Sequence, residues 1–66
     1  LVVAKAMDVI QRDFEETTWR AFLATTADGR RTAEVAAELG MTEAAVYAGK
    51  ARILARLRRE FVDLLD

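Results

Sequence analysis

Lys50, Arg52, Arg56, Arg58 and Arg59 all lie between Gly49 and Arg59, and no carboxylate separates them. Cations crowded in this way make charge-assisted hydrogen bonds to phosphate oxygens, and an arginine can also grip a guanine edge with two N–H donors. The rest of the chain is balanced: residues 1–33 carry five basic and five acidic side chains, and the formal net charge is −1. A local positive segment in a near-neutral chain is the footprint of phosphate contact. The competing account is a solvated face whose cations favour the C-terminal half of a helix. Catalysis has little to work with. The chain contains no His and no Cys, which removes the usual general base, the commonest neutral metal ligand, thiolate ligands and disulfides. Its carboxylates, within a composition that is 32% charged, read as solvated surface. We therefore expect no enzyme, no cofactor, no metal site and no small-molecule substrate.

These residues need a scaffold, and the composition names its class. Zero Pro and three Gly, with abundant Ala, Leu, Arg and Glu, predict an all-α domain. Sixty-six residues make a single small domain, near the lower limit for one unstapled core. No apolar run approaches the ~20 residues that span a bilayer, and no signal-peptide pattern opens the chain. The expectation is a cytoplasmic protein with no membrane partner. A chain opening on Leu1 is expected of a domain excised from a longer protein.

Periodicity divides the domain into four helices. Val2, Val3, Ala6, Met7, Ile10 and Phe14 recur three and four residues apart, which predicts a first amphipathic helix. Glu15–Thr18 reads as a break, with Thr17 or Thr18 capping the next helix. Trp19, Phe22 and Leu23 form a second apolar stripe that runs to about Ala27, and Asp28-Gly29 reads as a turn. Thr32 is the expected N-cap of a third helix with Val35, Ala36 and Leu39 inward, and Gly40 ends it. Thr42 caps the fourth helix, and Glu43 favours its N-terminal dipole. Along that helix Val46, Lys50, Ile53, Leu54, Leu57 and Phe61 share a stripe that continues towards Leu64 and Leu65.

The stretch from Thr32 to Phe61, a short helix, a turn at Gly40 and a longer basic helix, has the pattern of a helix-turn-helix without a wing. Ala36 is small where two such helices cross, and Val35, Leu39, Met41 and Val46 are spaced to plug the gap between them. A short helical hairpin that only packs is the alternative. The exposed face of the fourth helix then offers Ala45, Tyr47, Ala48, Ala51 and Arg52 to a major groove. Short Ala side chains permit close approach and contact with thymine methyls, and Arg52 can read guanine. Tyr47 reaches a phosphate or a base edge, or else packs. Lys50 interrupts the apolar stripe, so its methylene stem covers the core edge while its ammonium reaches outward. Gly49, mid-helix, permits close approach of DNA or of a neighbouring helix, or is simply tolerated. Arg30 and Arg31 precede the third helix, where backbone phosphates would meet its dipole, unless they are solvated turn residues. Arg56 completes the expected contacts.

The core AEVAAELGMTEAAVY at Ala33–Tyr47 and the basic run KARILARLRREF at Lys50–Phe61 resemble region 4 of bacterial sigma factors of the extracytoplasmic-function group. The preceding TTWRAFLATTADGRR is similar to the helix and Gly turn that lead into that family's helix-turn-helix, and FEETTWRAF resembles one subgroup. The similarity runs from about Asp8 to Leu65. It implies recognition of the promoter −35 element in double-stranded DNA, as part of the RNA polymerase holoenzyme. It places the readers at Tyr47, Ala48, Ala51 and Arg52, with Thr42 and Ala45 near the groove entrance. It also implies docking on the polymerase β-subunit flap and restraint by an anti-sigma factor. The family often carries basic or hydroxyl residues where this chain has Tyr47, Ala48 and Gly49. Two other readings compete: the output domain of a response regulator, and a helical protein-interaction module that binds no DNA, using Leu57, Phe61, Leu64 and Leu65.

Overall fold

Residues three and four apart close onto one another in four helices, α1 (Val2–Arg12), α2 (Glu16–Thr26), α3 (Thr32–Leu39) and α4 (Glu43–Leu65). The computed structural model describes the backbone of residues 2–65 and the side chains of residues 4–62. The side chains of Val2, Val3, Leu64 and Leu65, assigned above to apolar stripes, lie outside the described residues. No strand occurs among the described residues, so the domain is all-α. At 1.5 Å per residue the 23 residues of α4 run about 35 Å. They span most of the 39 Å long axis of the domain.

Two clusters of buried side chains hold the helices together. Ile10 of α1, Trp19 and Phe22 of α2 and Ile53 of α4 form the first, flanked by Met7, Phe14 and Leu57. The Trp19 and Phe22 rings lie 5.5 Å apart, tilted by 34°. Ala21 of α2, Val35 and Ala36 of α3 and Val46 of α4 form the second, flanked by Ala24, Leu39 and Met41. Because α2 faces both clusters at once, its inward residues are Thr18, Trp19, Ala21 and Phe22. Leu23, expected in that stripe, is turned outward and 36% exposed; Leu54 of α4 is likewise 45% exposed.

The helix ends differ from expectation in two places. The break between α1 and α2 covers residues 13–15, and the N-cap of α2 is Glu15, with no side-chain capping bond. Thr17 and Thr18 therefore lie within the first turn of α2 and cap nothing. Packing decides this: Thr18 is buried against α4, with its methyl directed at Gly49. At α3 the N-cap is Arg31, in an extended conformation, and Thr32 is the first helical residue. Thr42 does cap α4, its Oγ1 accepting the Ala45 N–H at 3.0 Å.

Gly40 ends α3 in the left-handed region at φ 66°. The Met41 N–H bonds back to Ala36 O at 2.8 Å, and the Gly40 N–H to Ala37 O. This pair of bonds satisfies the last carbonyls of α3 and turns the chain sharply into α4. A β-branched side chain is strained at that φ. Gly40→Val is expected to cost about 2 kcal/mol of stability. Chemical denaturation checks this, and a variant as stable as the parent would place the turn elsewhere.

Candidate nucleic-acid interface

Burial settles which side of α4 is available. Val46, Gly49 and Ile53 are buried and mark the inward face. Residues 100–200° around the helix from them point away from the core. Ala44, Tyr47, Ala48, Ala51, Arg52 and Ala55 are all exposed, Tyr47 by 58%. Lys50 is half-buried beside the core, the placement expected of a stem that covers apolar surface.

Thr42, Ala45, Ala48 and Arg52 line one groove, together with Leu39, Gly40 and Met41 from the turn. Its opposite wall is Glu15, Thr17 and Thr18 at the start of α2. Four of the expected contact residues are thus brought to one edge of α4. Tyr47 and Ala51 lie further round the helix, with Arg52 nearest the groove. The α2 wall had no counterpart in the sequence-based site. Glu15 and Thr17 come from the cap and first turn of a different helix, and only the α2–α4 packing brings them there.

Two of the expected phosphate ligands are engaged within the domain. Arg56 Nη1 donates to Asp13 Oδ2 at 2.7 Å, and its Nε donates to Glu60 Oε1 at 2.9 Å. Those two carboxylates, Glu60 foremost and then Asp13, raise the guanidinium pKa above its ordinary value. Arg56 is half-buried and ties the end of α1 to α4, so its contribution is to hold the helices together. The Glu60 partner is legible in the sequence as a residue four positions on, on the same helix face. Asp13 is not, because it arrives with α1. Arg30 donates through Nη2 to Glu38 Oε2 on the last turn of α3. That hydrogen bond, reinforced by the charge of Arg30, holds the Glu38 carboxyl below the usual carboxylate range. Arg31 is exposed at the N-cap of α3. Among the described residues, Arg31, Lys50 and Arg52 lie in no ion pair, and no acidic cluster suited to a metal ion occurs. No helix is long and apolar enough to cross a membrane, again among the described residues.

The arrangement offers an exposed, short-chained helix face edged by an arginine, with a capped turn at one end and cations along the second half. Such a surface can approach a polyanion closely, and it brings together no nucleophile–base pair among the residues described. No family model matches the chain, and no characterised relative or solved structure resembles it.

Proposed function

We propose that α3, the Gly40 turn and α4 form a helix-turn-helix that reads double-stranded DNA, and that the domain is the −35-recognising region 4 of a sigma factor. The observation that carries this reading is the closed turn between α3 and α4. Val35, Ala36 and Val46 are buried between the two helices while Tyr47, Ala48, Ala51 and Arg52 stay exposed on the far side of α4. The uncovered face edged by Arg52 is the surface that such a reader presents to a groove. The sigma-factor assignment rests on the sequence resemblance over Ala33–Tyr47 and Lys50–Phe61. RNA polymerase core, through its β-subunit flap, and an anti-sigma factor are the protein partners proposed with it, and a cytoplasmic setting follows from those partners.

Selection of random duplex DNA by this domain tethered to RNA polymerase tests the reading. A short directional motif at a fixed distance upstream of transcription starts is expected. A palindromic motif would replace the sigma-factor assignment with a dimeric regulator. No enrichment by the folded domain would leave a protein-interaction module, for which the exposed Leu54 and Val62 of α4 are available.

Arg52→Ala is expected to weaken binding to the selected duplex by about 1–3 kcal/mol and to relax preference at one base pair. Equal weakening on every sequence would make Arg52 a phosphate contact instead. With Arg30 and Arg56 engaged internally, contacts from Arg31, Lys50 and Arg52 predict a salt slope, log K against log salt, of about −3. A titration with no salt dependence would remove phosphate contact altogether.

A further inference from the structure

We propose that Glu38 is an internal competitor for phosphate, holding the Arg30 guanidinium back from a bound duplex. The inference rests on the DNA-binding reading above and adds a regulation of that site. Arg30 belongs to the loop entering α3, and its side chain reaches Glu38 on the last turn of the same helix, eight residues on. Asp28 and Glu34 add weaker attraction to the same guanidinium, and Arg20 of α2 faces Glu38.

The pair is not needed to hold the backbone it joins. The Arg30 N–H bonds to Ala24 O at 3.0 Å, so the loop is anchored through its main chain. The other end of α3 is closed by the Met41–Ala36 bond and by burial of Val35 and Ala36. Breaking the ion pair therefore frees the guanidinium and leaves the Arg30 backbone in place beside the N-terminus of α3.

The pair is also exchangeable. Both side chains are open to solvent, at 41% and 58% exposure. Exposed ion pairs of this kind are weak. A phosphate offers the same guanidinium an equivalent partner, and releases a counterion as it does so. Arg56 provides the contrast. Two carboxylates hold it, its side chain is only 29% exposed, and it links α1 to α4. Loss of the single carboxylate of Glu38 would release Arg30 to a phosphate, whereas Arg56 is held by two carboxylates and joins two segments of the chain.

Titration of random-sequence duplex with the 66-residue chain and three variants, at several salt concentrations, tests the proposal. Glu38→Gln keeps the side-chain size and is expected to bind about threefold tighter. Its salt slope should steepen by about 0.9, one additional phosphate contact. Arg30→Gln alone should bind nearly as the parent does, whereas Arg30→Gln combined with Glu38→Gln should lose the whole gain. Circular dichroism of each variant establishes that it is folded, and Glu38→Ala serves where the Gln variant is not. Unchanged affinity and slope in folded Glu38→Gln, or an equal effect of Arg30→Gln in both backgrounds, would overturn the competitor role while leaving DNA binding standing. A parent chain that binds no duplex, free or tethered to polymerase, would overturn the DNA-binding reading and this inference together.

Discussion

Ile53→Ala is expected to lower the free energy of unfolding by about 3 kcal/mol, among the largest effects of any single truncation in the domain. Ile53 is 0% exposed and meets Ile10 of α1 and both Trp19 and Phe22 of α2. It is the residue of α4 on which two other helices converge, so neighbours on several sides would have to move to fill the cavity. A domain of 66 residues has about 3–10 kcal/mol of stability in all, so such a loss leaves little or none. Leu54→Ala provides the internal comparison. Leu54 is the next residue and similar in size, but it is 45% exposed. Its truncation should change stability by no more than about 0.5 kcal/mol. Urea unfolding followed by circular dichroism distinguishes the two. Equal effects would mean that Ile53 does not face the core.

Gly49→Leu is expected to destabilise the domain by about 3 kcal/mol, against the ordinary preference of helices for Leu over Gly. A Cβ added at Gly49 would lie 2.7 Å from the Thr18 methyl, closer than real Cβ contacts come. Thr18 is itself only 7% exposed, so a side chain the size of Leu must push α2 and α4 apart or force Thr18 from its place. The close approach permitted by Gly49 is thus to a neighbouring helix, α2, whose Thr18 also walls the groove lined by Ala45 and Arg52. Removing the methyl removes the conflict, since the next Thr18 atom, Cβ, would be at 3.9 Å, an ordinary contact. Thr18→Ala with Gly49→Ala should therefore melt at least as high as Thr18→Ala alone, because Ala is the better helix former by about 1 kcal/mol. A Gly49→Leu variant that melts with the parent would show that α2 and α4 are not this close.

These two expectations separate what each level of description holds. The stripe containing Val46, Ile53 and Leu57 is legible in the sequence because helical periodicity puts those residues on one side whatever they pack against. The turn at Gly40 and the cap at Thr42 are legible too, since each depends on a backbone preference acting within a few residues. The expected positions of Thr18 and Leu23 failed because α2 serves two clusters at once. A stripe drawn from one sequence names the apolar residues but not how many neighbours a helix has.

The candidate interface divides in the same way. That α4 carries a basic second half, and that Tyr47, Ala48, Ala51 and Arg52 fall away from its apolar stripe, follows from residue order alone. Which cations are engaged does not. Arg30 is matched with Glu38 on the last turn of α3, and Arg56 with Asp13 from the turn that follows α1. By itself the sequence determined the helices, the Gly40 turn and the outward face of α4, because local backbone preference and periodicity act along the chain. Only the tertiary structure decided that Gly49 admits Thr18, that α2 walls the groove beside Arg52, and that two of the arginines are matched by carboxylates. Those are contacts between segments whose distance in space the order of residues does not encode.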